Sequence, residues 1–286
     1  MGGSVRPPAV AGAFYAASGA ELAREIESCF LDPRGPGELP ARHRSSARRI
    51  RAALVPHAGY RYSGPIAALV YQAIASERPP ESVLILGVDH YGKGDPYSLS
   101  AMDWATPLGP VAVDGNLVEA LHHPPVTIDE AAHASEHSLE VQLPFLDYVL
   151  PQPKVACLMV RMGAFSSLER VARVVERAVA GRDVLLLAST DFSHYVPPEL
   201  ARKLDALALD EIVRRSPKGL YDVVVGKDIS MCGIAPTTVL LEALRDEPLT
   251  ARLLRWGHSG EAEPMREVVG YAAALFESGA DLPTRP

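Results

Sequence analysis

Cysteine is scarce in this chain: its 286 residues include only three, Cys29, Cys157 and Cys232. Because the number is odd and the positions lie far apart, these cysteines exclude a disulfide framework and suit a reducing cytosol. A chain of this length buries most of the surface that it would expose when unfolded, so its core needs no disulfide or metal to hold it together. A cysteine with a special role is therefore expected to act through its chemistry.

Long apolar runs and an excess of positive charge are also missing. The apolar stretches are far shorter than the ~18 residues needed to cross a membrane, and the first residues do not form an export or anchoring signal. The 28 Lys and Arg are outnumbered by 35 Asp and Glu, which gives a net charge of −7. A short basic run within residues 42–51 is expected to be a solvated loop leading into a strand. We therefore expect a cytoplasmic protein that binds neither a membrane nor nucleic acid.

Three common motifs of nucleotide binding and hydrolysis are absent from the sequence. Neither a Gly-x-Gly-x-x-Gly loop nor a Walker-type loop follows a predicted strand, so a bound nucleotide is not supported. The Gly-x-Ser-x-Gly turn of the α/β-hydrolases is missing too, and residues 257–260 have the wrong spacing for it. The sequence thus argues against a nucleotide-dependent enzyme and gives only weak support to a serine hydrolase.

The sequence does contain short β-branched apolar runs that alternate with helical patterns. Residues 50–55, 83–86, 155–160 and 184–188 are typical of buried strands. Helices are predicted from residues 18, 63, 166, 197, 216 and 234, and two closing strands at 250–256 and 268–276. This alternation predicts a largely parallel sheet with helices on both faces, and the length allows one large α/β domain or two small ones.

Polar side chains follow three of the predicted strands. His57 comes after the first strand, Asp89 and His90 after the second, and Asp191 and His194 after the fourth. Because the carboxyl ends of parallel strands lie on one rim of a sheet, where ligands bind, we expect these side chains to converge. A single histidine after a strand is usually structural, but three at equivalent positions favour a site. Two neutral imidazoles with one anionic ligand suit iron, zinc or copper.

The residues leave the anionic ligand open between a carboxylate and a thiolate. Cys232 lies where a helix is predicted to begin, and the positive end of a helix dipole favours a thiolate. Cys29 and Cys157 lie within apolar helical and strand patterns, and we expect both to be core residues. Cys232 is therefore the candidate reactive thiol.

A further polar cluster opens a helix predicted to run to residue 149. His137 and Glu140 stand one turn apart, a spacing that serves a metal ion or a proton relay. The same segment fits a helix-start arrangement with Ser135 or Ser138 as the cap and Glu140 near the positive helix end. The spacing alone does not choose between these two interpretations.

Taken together, the motifs resemble those of the Memo family and occur in the same order. The matching residues are Val55-Pro56-His57-Ala58-Gly59-Tyr60 with Tyr62-Ser63-Gly64, Gly87-x-x-His90, Glu136-His137-Ser138-x-Glu140, Asp191-Phe192-Ser193-His194 and Cys232-Gly233-x-x-Pro236. Each motif is weak alone, but the set is highly specific and spans about residues 7–276. The family is similar in fold to the LigB-type class III extradiol dioxygenases, and its bacterial members are often labelled protein B of the AmmeMemoRadiSam system.

The resemblance implies a single α/β domain over residues 1–286, with a core of about 7–276. It also implies one iron or copper ion per chain, held by His57, His90 and Cys232. Asp191 and His194 are implied to lie beside this site. In an enzyme, His194 would be the acid or base because its unperturbed pKa lies near neutral pH, and Asp191 would hold its orientation.

The implied activity is redox or oxygen chemistry on an unknown small substrate, with His137 sharing proton transfer. The alternative is a non-catalytic module that binds a metal or a peptide and keeps the dioxygenase-like fold. The sequence does not decide whether the chain is an enzyme or what its oligomeric state is.

Two features depart from the related families. The Memo family usually has Pro followed by Asn or Ser before its second histidine, whereas this chain has Val88 and Asp89. Asp89 is a candidate to bind metal directly or to orient a ligand histidine. Ring-cleaving dioxygenases use two histidines and a carboxylate. Because Cys232 would replace that carboxylate, we expect ordinary catechols to be cleaved slowly or not at all.

Overall fold

The structure is a computed structural model that describes residues 5–41 and 45–282, so that residues 42–44 of the basic run lie outside it. The strands are β1 (Val5–Arg6), β2 (Ile50–Val55), β3 (Ser82–Val88), β4 (Tyr97–Ser100), β5 (Asp103–Thr106), β6 (Gly109–Val113), β7 (Thr127–Ile128), β8 (Lys154–Val160), β9 (Val184–Ser189), β10 (His194–Val196), β11 (Leu249–His258) and β12 (Val268–Ser278). The helices are α1 (Gly19–Leu31), α2 (Tyr60–Ser76), α3 (Gly115–Leu121), α4 (Glu130–His133), α5 (Leu143–Val149), α6 (Phe165–Val179), α7 (Pro198–Val213), α8 (Pro217–Gly226) and α9 (Ile234–Ala243).

All six predicted strands are present, and they belong to one large sheet. Its strand order is β1-β5-β6-β8-β3-β9-β2-β12-β10, and β11 pairs with β12. The central strands β6, β8, β3, β9 and β2 run parallel to one another, whereas β12 runs antiparallel to β2 and β11. The short strands β4 to β7 were not predicted, because their few residues carry no long apolar pattern. The predicted α/β class, with a largely parallel central sheet, is confirmed.

The sheet separates two apolar cores because successive side chains of a strand point to opposite faces. In β2, Ala52 and Leu54 pack into the core formed with helices α3 and α6 to α9. Ala53 and Val55 pack into the core formed with α1, α2 and α5. Strands covered on both faces need apolar residues at every position, which explains the uninterrupted apolar runs.

Two helices begin at residues other than those predicted. Helix α2 begins at Tyr60, three residues early, so only a short turn separates it from β2. The predicted helix over residues 135–149 is wrong in its first half, since a 3-10 turn covers Glu140–Gln142 and α5 begins at Leu143. The Glu136 carboxylate accepts the backbone N–H groups of His137 and Ser138 in this segment. These side-chain bonds hold the backbone in a non-helical path.

Residues 45–49 form the expected loop that leads into β2, and Arg49 is exposed, but Arg48 in this loop and Arg51 in β2 are buried. Arg48 is 3% exposed and forms a short ion pair with Asp183, which precedes β9. Arg51 is 5% exposed and binds Glu247 with Nε to Oε2 at 2.9 Å. These arginines hold the amino-terminal edge of the sheet together. Across residues 5–41 and 45–282, every helix is too short or too polar to span a membrane.

Candidate metal centre

Three separate segments bring His57, His90 and Cys232 together at the carboxyl-terminal rim of the sheet. His57 lies in the turn after β2, His90 in the loop after β3, and Cys232 two residues before α9. One ligand atom of each residue lies within 4.8 Å of the ligand atoms of the other two. The structure thus juxtaposes the three side chains that the resemblance implied.

His57 forms the buried floor of this group, with only 2% of its surface exposed. Its Nδ1 lies 3.0 Å from Ser189 Oγ at the end of β9, and its Nε2 lies 3.2 Å from Cys232 Sγ. Burial lowers the pKa of His57 well below its ordinary value, and the neighbouring histidines lower it further. His57 is therefore neutral at pH 7, the form in which imidazole binds metals.

His90 is the outer member, with a side chain that is 26% exposed. Its Nδ1 lies 2.9 Å from Glu136 Oε1, and its backbone N–H donates to Glu136 Oε2 at 2.9 Å. Burial would raise the pKa of Glu136, but the hydrogen bond and charge of His90, with His137 and a backbone N–H, lower it to about 2. The ionised Glu136 fixes His90 through Nδ1 and leaves Nε2 for a ligand. The sequence analysis did not predict that Glu136 orients His90. The sequence showed only that Glu136 is a carboxylate next to His137.

Cys232 completes the group, and its surroundings within the chain favour the thiol over the thiolate. Burial raises the pKa of its thiol and the charge of Asp191 adds to the effect, so the expected influence of the helix end is outweighed. The sulfur accepts a hydrogen bond from the backbone N–H of Asp191 at 3.2 Å. A bound cation would favour the thiolate and displace its proton.

Gly233 allows Cys232 to approach the end of β9. A Cβ atom at this position would lie 2.2 Å from Thr190 Cβ, which is closer than real Cβ contacts. The Gly233 N–H also donates to Thr190 Oγ1 at 3.0 Å. Glycine is therefore required for this close contact between the start of α9 and the rim.

His137 lies beside the group. Its ring centroid is 4.6 Å from that of His90 and 5.5 Å from that of His57, and Phe14 packs against it at 4.6 Å. Burial lowers the pKa of His137 to about 4 even though the charge of Glu136 opposes this shift. A third imidazole thus faces the two candidate ligands.

His137, His90 and Glu136 form a second group with metal-ligand spacing. However, Glu136 Oε1 already accepts His90 Nδ1 and the backbone N–H groups of His137 and Ser138. His137 Nδ1 is 3.3 Å from this oxygen without making a hydrogen bond. We therefore interpret this second group as an anchor for His90 and the segment after it.

Asp191 and His194 both lie at the rim, but they do not form the expected pair. His194 Nδ1 is 2.6 Å from the carbonyl oxygen of Phe192 and 2.8 Å from that of Ser230. Asp191 Oδ1 instead accepts the backbone N–H of His57 at 2.8 Å, and burial raises the pKa of Asp191 to about 6. The two carbonyls orient His194, whereas Asp191 ties the turn of His57 to the backbone segment that contacts Cys232.

Two other candidate residues point away from the group. Glu140 is fully buried and binds Arg6 at 2.5 Å and the hydroxyl of Tyr15 at 2.6 Å, so it anchors the amino-terminal segment rather than a metal or a proton relay. Asp89 binds Arg161 at 2.6 Å. Its negative charge is therefore neutralised, and Glu136 performs the orienting role that was considered for it.

Comparison with known proteins identifies the family. Residues 6–275 match the model of the family described as Memo-like protein. A MEMO1 family protein of Ignicoccus hospitalis is 40% identical over 282 residues, which cover 95% of this chain and 98% of the relative. MEMO1 family proteins of Methanothermobacter thermautotrophicus and Methanopyrus kandleri are 39% and 37% identical, with 94% and 96% of this chain and 99% of each relative covered. The chain belongs to the Memo family.

Proposed function

We propose that this Memo-family chain binds one iron or copper ion through His57 Nε2, His90 Nε2 and Cys232 Sγ. The observation that carries the proposal is the convergence of these three side chains from three separate segments within 4.8 Å. Two neutral nitrogen donors and one sulfur donor form a set of mixed softness that suits these metals. When bound, such an ion supplies redox or oxygen chemistry.

We further propose that the activity is that of a dioxygenase-like oxidoreductase on an unknown small substrate. His194 is the candidate acid or base. Its Nδ1 donates to two backbone carbonyls, so that Nε2 is left to exchange a proton with a substrate. His137 is the second candidate, because it is neutral and its ring faces both histidine ligands. Asp191 contributes by holding the turn of His57.

A second candidate function is a metal- or peptide-binding module without turnover. The exposure of His90 favours it, as does Tyr195, which follows His194 and is 74% exposed. An open site suits recognition of a large partner, whereas catalysis of oxygen chemistry benefits from excluding water. Turnover by the metal-loaded protein distinguishes the two functions.

Metal retention tests the proposed ligand set. His57→Ala, His90→Ala and Cys232→Ala should each lower the metal content of anaerobically purified protein from about one per chain to near zero, because two donors are too few for a stable site. Elemental analysis measures this, and circular dichroism checks the fold. Cys157→Ala and His123→Ala are matched controls away from the rim. Wild-type stoichiometry in all three folded ligand variants would disprove the assignment.

A further inference from the structure

A buried chain of hydrogen bonds leads from the core to the far side of the His57 ring. The Tyr71 hydroxyl donates to Gln142 Oε1 at 2.7 Å, and Gln142 Nε2 donates to Ser189 Oγ at 2.8 Å. Ser189 Oγ lies 3.0 Å from His57 Nδ1. Each of these side chains is 2% exposed or less. The metal-binding proposal uses only the opposite nitrogen of His57, Nε2, and gives no role to this series of hydrogen bonds.

The direction of each hydrogen bond follows from groups that can only accept. Gln142 Nε2 also lies 3.0 Å from the carbonyl oxygen of Pro56, so this atom must be the amide nitrogen and must donate to Ser189. The Ser189 hydroxyl lies 2.6 Å from the carbonyl oxygen of Ser138. Two oxygens at this distance need a proton between them, and only Ser189 has one to give.

The consequence for His57 is a fixed tautomer. Ser189 donates its single hydroxyl proton to the carbonyl oxygen of Ser138, and one lone pair of its oxygen accepts a hydrogen bond from Gln142 Nε2. The remaining lone pair can only accept, so the proton of neutral His57 must lie on Nδ1. Nε2 is then deprotonated and faces Cys232 Sγ at 3.2 Å. An unpartnered imidazole in water prefers the opposite tautomer, with the proton on Nε2.

We infer that Ser189 and Gln142 are positioning residues that hold His57 in the Nδ1–H tautomer and present its Nε2 lone pair to the candidate metal centre. The consequence for metal binding rests on the proposed function, but the tautomer itself does not. The two histidines are held by different acceptors, since His90 donates to the ionised carboxylate of Glu136 and His57 to a neutral hydroxyl. A hydroxyl fixes the tautomer without adding a charge beneath the buried ring.

Nitrogen NMR of the full-length chain, labelled at histidine and kept metal-free with a chelator, tests the inference at pH 7.5. The two-bond proton–nitrogen pattern reports which ring nitrogen carries the proton, and the signals of His57 are assigned by their absence from His57→Gln. His133 is an internal reference, because its Nε2 lies 3.1 Å from the carbonyl oxygen of Ser98 and must carry its proton there. We expect His57 to show the Nδ1–H pattern and His133 the Nε2–H pattern.

Three variants separate positioning from general stability. Ser189→Ala should shift His57 towards the Nε2–H pattern, and Gln142→Leu should cause a smaller shift in the same direction. Ser98→Ala is the matched control, since it removes a fully buried hydroxyl that donates to the carbonyl oxygen of Asp95 and takes no part in the hydrogen bonds leading to His57, so it should leave His57 unchanged. An Nε2–H pattern in the wild type, or an unchanged His57 in folded Ser189→Ala, would overturn the inference.

Metal affinity gives the second readout. Iron(II) and copper(I), titrated separately without oxygen, should bind Ser189→Ala about 10–100-fold more weakly than the wild type, as is typical when the partner of a ligand histidine is removed. Affinity equal to that of the wild type would overturn the positioning role. If the wild type binds neither metal, the proposed function fails, while the NMR pattern still decides the tautomer.

Discussion

The two ends of the parallel sheet both carry buried polar side chains, but these are paired in different ways. At the amino-terminal edge, the Asp183 carboxylate binds the guanidinium groups of both Arg48 and Arg78. At the carboxyl-terminal rim, His57 Nε2 and Cys232 Sγ lie 3.2 Å apart. Among the described residues, no lysine or arginine hydrogen-bonds to either of these two side chains.

The difference separates a structural cluster from a candidate functional one. At the amino-terminal edge, each oxygen of the Asp183 carboxylate binds an arginine, so this cluster is held by opposite charges within the chain. The atoms at the rim are electron-pair donors that face one another, and an external cation would satisfy them best. Four variants, taken from the largest expected effect to the smallest, compare what the residues at the two ends contribute to stability and to chemistry.

Asp183→Ala should cause the largest effect, a loss of about 3–5 kcal/mol in the free energy of unfolding. It leaves the buried Arg48 without its counter-charge, and an uncompensated buried charge is costly. Urea denaturation measures the loss. Metal stoichiometry per folded chain should stay at the wild-type value, and a loss of metal from a stably folded Asp183→Ala protein would contradict the separation of the two ends.

His194→Ala should act on chemistry with little change in stability. If His194 moves a proton, its removal should slow reoxidation of the reduced metal by O2 about 100-fold, at the lower end of the usual contribution of general acid–base catalysis. Stopped-flow spectroscopy measures the rate, and elemental analysis should find the metal retained. His123→Ala is the control. Metal loss as complete as in His57→Ala would instead identify His194 as a ligand.

Glu136→Gln should change how stability depends on pH. The pKa of Glu136 is lowered to about 2 in the folded protein, below its ordinary value of 4.5, so its ionised form stabilises the fold above pH 4.5. This stabilisation is lost as the pH falls towards 2, and about 2 kcal/mol of it should be gone by pH 3. Urea denaturation between pH 5 and pH 3 should show a flatter pH dependence for Glu136→Gln than for the wild type.

The control for Glu136 is Glu21→Gln, which changes an exposed glutamate in the first turn of α1. Its pH dependence should match that of the wild type over the same range. Equal slopes for Glu136→Gln and the wild type would mean that the carboxylate is not held in its ionised form by His90 and its other donors.

Arg252→Ala should cause the smallest effect, about 0.5 kcal/mol or less in the free energy of unfolding. Arg252 binds Glu277 at 2.9 Å, but the two side chains are 54% and 29% exposed. Water and salt screen such a pair. Urea denaturation measures the free energy of unfolding of this variant and of Asp183→Ala. Equal losses in the two variants would show that burial is not what makes the amino-terminal cluster important.

Much of the rim could be located from the sequence because strands covered on both faces have a simple pattern. The apolar runs of β2, β3 and β9 mark where each strand ends, and the next polar residues must lie on the same rim. His57 and His90 follow from this rule. Cys232 does not follow a strand, and the residues alone marked it only as a reactive thiol; its place among the ligands came from the family resemblance.

The sequence by itself determined the α/β class, the central strands and the rim position of the histidines, because hydrophobic periodicity is a local property. Only the tertiary structure decided the directions of side chains in irregular segments. Glu140 binds Arg6, 134 positions away, rather than joining His137, and Glu136 takes the orienting role beside His90. The protonation of Cys232 was decided in the same way, since burial outweighed the helix end that the sequence showed. These outcomes depend on contacts between distant segments, which no local pattern encodes.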